Sequence, residues 1–141
     1  MISPELLQRY PFFNSLTDEQ LKAITMIGGE KSFPKDSILF TEHTTADRLM
    51  LLLEGAVELF YGGGAEGSVA NSKVCSIAPG AIFGVSSLIK PYKYTASARA
   101  TMPVKVVDFD GATLRMMAEN DQMLGRVLMS NVAAAVLARL R

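Results

Sequence analysis

The spacing of apolar residues changes twice along this chain, and that change limits its fold more than any other feature. Residues 21–27 carry leucine and isoleucine at helical spacing, which ends at Gly28-Gly29. Over residues 30–110 the apolar residues alternate, or run in short blocks between turns, which is typical of β-strands. After Asp110 the helical spacing returns. The sequence therefore predicts helices at both ends of a central β-rich unit.

Capping signals mark where the helices begin. Ser3 precedes Pro4, and proline is favoured at the first helical position. Residues 17–20 read Thr-Asp-Glu-Gln, a capping box in which the threonine and glutamine side chains bind each other's backbone amides. Asp110 is placed to cap the first helix after the strands, and Asn120 or Asp121 to cap the last one. Helices are therefore predicted to begin at these four places.

Short strands are predicted between the helices, at residues 37–41, 49–53, 57–61, 73–77, 95–100 and 104–109. Residues 49–53 are continuously apolar, as in a strand buried on both faces. In residues 57–61, Val57, Leu59 and Tyr61 alternate with Glu58 and Phe60, which predicts one inward and one outward side. Residues 62–72 are rich in Gly, Ala and Ser and are predicted to form a loose connection.

Strands of this length, with turns every ~8–12 residues, indicate an antiparallel sandwich or barrel. We therefore expect an α+β, mainly β protein: an antiparallel β-sandwich or jelly-roll-like barrel flanked by N-terminal helices and a C-terminal helix pair. A chain of 141 residues is long enough for one domain. We expect that domain to span residues 1–141, with N-terminal helices in 1–29, the β-roll in 30–110 and the C-terminal helices in 111–141.

Composition argues against several classes of function. Fourteen basic and fourteen acidic residues cancel, so no broad attraction to nucleic acid or to an anionic membrane is implied. The N-terminus lacks a signal-peptide pattern, and the apolar runs are too short to span a membrane. Cys75 is the only cysteine, which favours a reducing, cytoplasmic setting. With His43 as the only histidine, no metal site or base–nucleophile pair is evident, and we expect no enzyme.

Residues 79–100 contain the candidate binding site. The turn Pro79-Gly80 is followed by Phe83-Gly84, and then by residues 85–89, which can form one helical turn. A glycine there permits a sharp bend and leaves amide N–H groups facing an anion. The stretch thus predicts a phosphate cradle, yet neither arginine nor carboxylate occurs between Phe83 and Tyr94.

The order of these elements resembles the cyclic-nucleotide-binding domain family, which includes the catabolite activator protein. The resemblance runs from about residue 6 to the end. LLQRYPFFNSLTDEQLKAI is similar to the family's entry segment, and LMLLLEGAVELF to its strand–turn–strand pattern. IAPGAIFG is similar to the run into its phosphate-binding cassette, and TASARATMPVKVVDFD to the strands that follow. The resemblance implies a ligand-sensing domain whose C-terminal helices move on binding, with a cyclic nucleotide as the ligand.

Two ligand contacts implied by the resemblance are missing. The family has a glutamate after Phe-Gly for the ribose hydroxyl, and an arginine for the cyclic phosphate. Aligned without gaps, Val85 stands at the glutamate position and Tyr94 at the arginine position. His43 also replaces a glycine after Glu42. Two lost bonds to charged groups cost about 3–6 kcal/mol together, which would reduce micromolar affinity to about millimolar or weaker.

Replacement contacts remain open. The amides of residues 85–87 can bind an oxyanion, Ser86 or Ser87 can add a hydroxyl, and Lys93 can supply a point charge. Tyr94 can fill the former phosphate site, or Tyr92 or Tyr94 can stack on a base. The candidate ligand-binding residues are Phe83, Gly84, Val85, Ser86, Ser87, Lys93, Tyr94 and Thr95.

The last predicted helix is apolar on all sides over residues 132–138, VAAAVLA. Such a helix needs cover on more than one side. The cover can be a homodimer seam, which we favour, or its own domain, or the helix can belong to a truncated chain. The candidate seam residues are Val127, Leu128, Asn131, Ala134, Ala135 and Ala138.

The expected function is that of a non-catalytic regulatory domain in which cAMP or cGMP binding is weak, altered or absent. The alternative is a genuine sensor of a small anion or nucleotide, using backbone amides, Ser87 and Lys93. The expected partners are such a ligand and a second copy of the chain. No nucleic-acid contact is expected, because the chain ends on the last helix, before the helix-turn-helix module of the family's transcription factors. No membrane contact is expected either.

Overall fold

The computed structural model describes residues 2–62 and 72–139 of the chain. The strands are β1 (Gly28–Phe33), β2 (Ile38–Phe40), β3 (Arg48–Glu54), β4 (Val57–Tyr61), β5 (Ser72–Ile77), β6 (Ile82–Phe83), β7 (Ser97–Ala100) and β8 (Val104–Asp110). They form two four-stranded antiparallel sheets, in the orders β1-β8-β3-β6 and β2-β7-β4-β5. The predicted mainly β fold is confirmed, as an open sandwich rather than a closed barrel. Most of the predicted connection at residues 62–72 lies outside the described residues.

The helices are α1 (Pro4–Gln8), α2 (Asp18–Ile27), α3 (Gly111–Asn120) and α4 (Gln122–Arg139). All four predicted helix starts are confirmed by their caps. The Ser3 side chain accepts from the Leu6 amide, and Thr17 with Gln20 forms the capping box. Asp110 caps α3, and Asp121 accepts from the Leu124 amide at the start of α4. Within the described residues, no helix is long and apolar enough to cross a membrane.

Strand β3 separates two apolar clusters. Leu49 and Leu51 lie in a cluster shared with all four helices, which we call the helix-side core. Met50 and Leu52 lie in a second cluster between the sheets, the sandwich core. The prediction that residues 49–53 form a strand buried on both faces is therefore confirmed. The helices cover the outer face of the β1-β8-β3-β6 sheet and leave the cassette at its edge, where β6 ends.

The predicted alternation in β4 fails at its end. Phe60 is buried at 1% exposure, whereas Tyr61 is 55% exposed. The pairing of β4 with β5 shifts register between Leu59 and Phe60, and a shift of this kind ends regular alternation. Phe60 is covered by the Arg99 guanidinium of β7, whose central carbon lies 5.7 Å from the ring centre. A cation over an aromatic face is attracted to the ring, so this contact stabilises Phe60 on the outer side of the sheet.

Candidate functional site

Strand β6 delivers the chain into the predicted cradle through a glycine. Gly84 has φ of 78°, the left-handed conformation that glycine adopts most readily. A Cβ at this position would come within 2.6 Å of the Arg48 carbonyl oxygen. Residues Val85–Leu88 then form the predicted helical turn, as a 3-10 helix. We call residues 83–95 the cassette; its bend depends on Gly84.

In the first half of the cassette, the hydroxyl of Ser87 is bonded to the cassette's own backbone. Ser87 is fully buried, and its hydroxyl donates to the Gly84 carbonyl at 2.8 Å. Val85 is half-buried and packs against the helix-side core. Ser86, between them, is half-buried. A ligand entering the turn would therefore meet Ser86 more readily than Ser87.

Tyr94 is part of the protein interior. It is only 4% exposed, and its ring stacks on Phe40 with centroids 3.9 Å apart and planes 8° apart. Its hydroxyl donates to the Arg48 carbonyl and accepts from the Arg48 amide, each at 3.2 Å. Burial raises the pKa of the Tyr94 phenol, because the phenolate would lose its water. Tyr94 is therefore held as a neutral phenol whose hydroxyl makes two hydrogen bonds to the backbone.

The loop after β2 holds the second half of the cassette by backbone pairing. The His43 amide donates to the Tyr94 carbonyl at 2.8 Å, and the Tyr94 amide donates to the Thr44 carbonyl at 3.0 Å. The Ala46 amide donates to the Tyr92 carbonyl at 2.7 Å. His43 has φ of 69° and so adopts the left-handed backbone in place of a glycine. His43 therefore has the left-handed backbone conformation at the position where the resemblance places a glycine.

A polar network lies beside this pairing, and it was not predicted from the sequence. The Glu42 carboxylate accepts from the Gly62 amide, and the Glu42 amide donates to the Ser97 hydroxyl at 2.9 Å. The Ser97 hydroxyl, in a fully buried residue, donates to the Gly62 carbonyl at 2.8 Å. These bonds link the end of β4 with the loop after β2 and the start of β7. A serine at an inward strand position was the available sequence signal.

Helix α3 contacts the cassette through Arg115. Its guanidinium donates to the Ser87 carbonyl at 2.5 Å and lies over the Tyr92 ring, 4.1 Å from the ring centre. At the start of α3, a Cβ added to Gly111 would come within 3.0 Å of the Ser87 Cβ. The cassette and α3 therefore share one contact surface. Sequence reasoning missed Arg115, because 28 residues separate it from Ser87.

The remaining predicted cassette residues face solvent or belong to the core. Lys93 and Thr95 are exposed, and Lys93 bridges to Thr45 through the backbone. Phe83 is fully buried in the sandwich core. Arg99, the next arginine along the chain, pairs with Glu58 at 3.2 Å on the outer side of its sheet. Lys93 is therefore available to a ligand, as is Lys90, the other exposed lysine of the cassette.

The six predicted dimer residues of α4 lie in different environments. Three pack in or against the helix-side core: Val127, Leu128 and Ala135. Asn131 donates from Nδ2 to the Phe12 carbonyl at 2.7 Å. Two are exposed: Ala134 and Ala138. Part of α4 is therefore covered by its own domain, which was one of the alternatives drawn from the sequence. Its solvent side carries Met123, Met129, Ala133 and Leu137.

Two comparisons with known proteins indicate the same family. Residues 30–121 match the family described as Cyclic nucleotide-binding domain. A search of curated proteins returned no match. The chain is similar to the crystal structure of a putative cyclic nucleotide-binding protein from Geobacter metallireducens GS-15, with 66% identity, 100% of both chains covered and a TM-score of 0.91.

Two further solved structures are similar at lower identity. One is the N-terminal domain of a transcriptional regulator from Streptomyces coelicolor A3(2), with 25% identity, 94% of this chain and 91% of that chain covered, and a TM-score of 0.71. The other is the regulatory subunit of a cAMP-independent protein kinase A from Trypanosoma cruzi bound to guanosine. It shares 20% identity, with 82% of this chain and 40% of that chain covered and a TM-score of 0.70. At this identity the second likeness concerns the fold alone.

Proposed function

This chain belongs to the cyclic nucleotide-binding domain family, and on that premise we propose that it is a regulatory domain that binds cAMP and cGMP weakly or not at all. The resemblance seen in the sequence is confirmed by the family match and by the Geobacter structure. Domains of this family are generally regulatory and non-catalytic.

The observation that carries the proposal is the burial of Tyr94. The resemblance places an arginine there, to pair with the cyclic phosphate. Tyr94 instead stacks on Phe40 and binds the Arg48 backbone. A ligand phosphate at this position would have to displace the uncharged Tyr94 ring. It would not gain a positively charged partner there. Val85, at the glutamate position, packs against the helix-side core and has no acceptor for a ribose hydroxyl.

The free energy needed to displace Tyr94 also disfavours binding of a cyclic nucleotide. Aromatic stacking contributes about 0.5–1.5 kcal/mol beyond burial, and each hydrogen bond about 0.5–1.5 kcal/mol net. Moving Tyr94 aside, which breaks one stack and two hydrogen bonds, would therefore cost roughly 1.5–4.5 kcal/mol. This cost adds to the missing contacts, so that cyclic nucleotides at micromolar concentration would leave the site empty.

The alternative is a sensor of another small ligand. The guanosine in the Trypanosoma cruzi structure is a nucleoside without a phosphate, bound to a protein described as cAMP-independent. A nucleoside would not require the cassette arginine. In this chain Lys93 and Ser86 are among the contacts available to it, whereas the Ser87 hydroxyl already donates to Gly84. Guanosine therefore belongs among the ligands to be tested.

Whichever ligand is used, the C-terminal helices are placed to transmit a change in the cassette. Arg115 of α3 touches both Ser87 and Tyr92. A displacement of either residue changes the position of the guanidinium and hence of α3. We propose that a partner protein reads this displacement.

A second copy of the chain is the partner we propose for α4. Its solvent side exposes Met129 at 45% and Leu137 at 54%, next to the small Ala133. Large apolar side chains around a small residue suit close helix packing. Light scattering across a concentration series tests the dimer, and a monomer at every concentration would contradict it.

We also propose a cytoplasmic location, because the single cysteine fits a reducing compartment.

Titration calorimetry with cAMP, cGMP and guanosine tests the ligand proposal. We expect no saturable heat from cAMP or cGMP at micromolar concentrations. Saturable binding of either at those concentrations would overturn the proposal. Saturable binding of guanosine alone would favour the alternative.

A further inference from the structure

A groove with a volume of about 670 Å³ lies between α4 and the segment that joins β5 to β6. Its walls are mostly small and apolar: Pro11, Phe12, Ile77, Pro79, Ala134 and Ala138. It lies on the side of β6 to which Ile82 points, in the helix-side core. Phe83, the neighbouring residue of β6, points into the sandwich core. The groove is therefore separate from the cassette.

Arg139 is the charged residue of this groove. Its guanidinium is half-buried at the end of α4 and donates to the Ile82 carbonyl. Burial lowers the pKa of Arg139, yet an arginine stays charged in proteins. None of the lining residues is an aspartate or glutamate. Within the described part of the chain, Arg139 has no carboxylate within 4 Å.

A half-buried cation in apolar surroundings is costly unless an anion accompanies it. A guanidinium carries five N–H donors in a planar fork, which matches the two oxygens of a carboxylate. Among the described residues, the guanidinium donates to the Ile82 carbonyl alone, so its other N–H groups can meet a ligand. One arginine neutralises a monoanion, whereas a phosphate monoester would leave a net negative charge among alanines and prolines. The walls suit a hydrocarbon body, and the volume lies within the range of about 300–1,000 Å³ typical of small-molecule sites.

We propose that this groove binds a small carboxylic acid with an apolar body, its carboxylate on Arg139 and its hydrocarbon along Ala134 and Ala138. The ligand carboxylate occupies the remaining donors, and its stronger, charge-assisted bonds draw the guanidinium away from the Ile82 carbonyl. Ile82 directly precedes Phe83-Gly84, so the same exchange loosens α4 from the strand that enters the cassette. The groove is thus a second regulatory site, and ligand binding there does not depend on whether the cassette binds a nucleotide.

Octanoate is a suitable probe, with 1-octanol as the matched neutral compound. Nuclear magnetic resonance of the ¹⁵N-labelled full chain follows the amides of Ile82, Ala134 and Ala138 during titration to low millimolar concentration. We expect saturable shifts at these amides. Octanol, which lacks the charge, is expected to bind at least about tenfold more weakly.

Two variants and one control variant locate the site. Arg139→Gln is expected to weaken octanoate binding at least about tenfold, whereas Arg126→Gln, on the exposed side of the same helix, leaves it unchanged. Ala134→Leu fills the groove and abolishes the shifts while the spectrum stays folded; it decides the question if Arg139→Gln does not fold.

Four results would each overturn the proposal. They are shifts that do not saturate, equal binding of octanol, full binding by Arg139→Gln, and shifts that map outside the groove. Concentration-dependent shifts at Ala134 and Ala138 without octanoate would also overturn it, because a second copy would then fill the groove.

Discussion

The hydroxyl of Tyr94 lies between the backbone amide and the backbone carbonyl of Arg48, 3.2 Å from each. These residues are 46 positions apart, and the contact joins the end of the cassette to the start of β3. Tyrosine therefore stands at the expected arginine position as part of the framework. This contact leads to the first three predictions.

Tyr94→Phe should lower stability without moving the ring. The phenylalanine keeps the stacking on Phe40 but leaves the Arg48 amide and carbonyl without their partner. We expect a loss of about 1–3 kcal/mol in the free energy of unfolding, measured with urea. Tyr61→Phe, at a 55% exposed tyrosine, should stay within about 0.5 kcal/mol of the wild type. Equal stabilities of Tyr94→Phe and Tyr61→Phe would contradict a structural role for the hydroxyl.

The raised pKa of Tyr94 predicts a loss of stability at alkaline pH. The unfolded chain ionises this phenol near the ordinary value of 10.0, whereas the folded chain keeps its proton to higher pH. The unfolded state therefore binds fewer protons above pH 10, and unfolding becomes easier as pH rises. Urea midpoints between pH 8 and 11 should fall more steeply for the wild type than for Tyr94→Phe. Parallel curves would show that Tyr94 ionises alike in both states.

The double variant Val85→Glu with Tyr94→Arg should gain cAMP binding. It restores the two ligand contacts that the family resemblance implies. Together they contribute about 3–6 kcal/mol, so calorimetry should show affinity at least about a hundredfold higher than in the wild type. The variant places a charge at a buried site, so folding is checked first by circular dichroism. Lys93→Arg, which adds a guanidinium one residue away, should gain nothing; a similar gain in that variant would show that position 94 is not decisive.

Replacing Arg115 should uncouple the cassette from α3. Arg115→Ala removes the bond to the Ser87 carbonyl and the stacking on Tyr92. We expect faster amide hydrogen exchange in residues 85–92 and in the first turns of α3, and a loss of about 1–3 kcal/mol in stability. Arg126→Ala, at an exposed position of α4, should leave exchange in both segments unchanged. Faster exchange confined to α3 would mean that Arg115 does not hold the cassette.

Asp110 should contribute to stability at neutral pH and lose that contribution in acid. The bond from the Thr113 side chain holds the pKa of Asp110 below its ordinary value of 3.8. A lowered folded pKa gives stability that is present above the unfolded value and disappears as pH falls through the folded value. Asp110→Ala should cost about 0.5–2 kcal/mol at pH 7 through loss of the α3 cap. Urea unfolding should show this difference shrinking below pH 3.8; a constant difference would assign it to lost packing.

Features within a few residues of each other were predictable from sequence. The capping box of Thr17 and Gln20, the glycine bend at Gly84 and the short helix after it all depend on local geometry. The two-sided burial of β3 followed from its continuous apolar run. These features depend on propensity and period, which a single sequence carries.

Contacts between distant residues were not predictable in the same way. Nothing in the sequence around Ser87 or Tyr92 points to Arg115, because that pairing arises only when α3 packs against the cassette. Phe60 is buried and lies under the guanidinium of Arg99, which belongs to a neighbouring strand. For Tyr94, the sequence left open a plug or a base-stacking residue, and the stacking on Phe40 favours the plug.

Strand β6 has only two residues, and their side chains lie in different cores, Ile82 in the helix-side core and Phe83 in the sandwich core. A rotation of β6 would therefore disturb the packing on both of its sides at once. The cassette begins at the end of this strand, so a movement of the cassette that rotates β6 would change the packing of the whole domain. A ligand anywhere along β6 is expected to alter melting of both layers together, in a single cooperative transition.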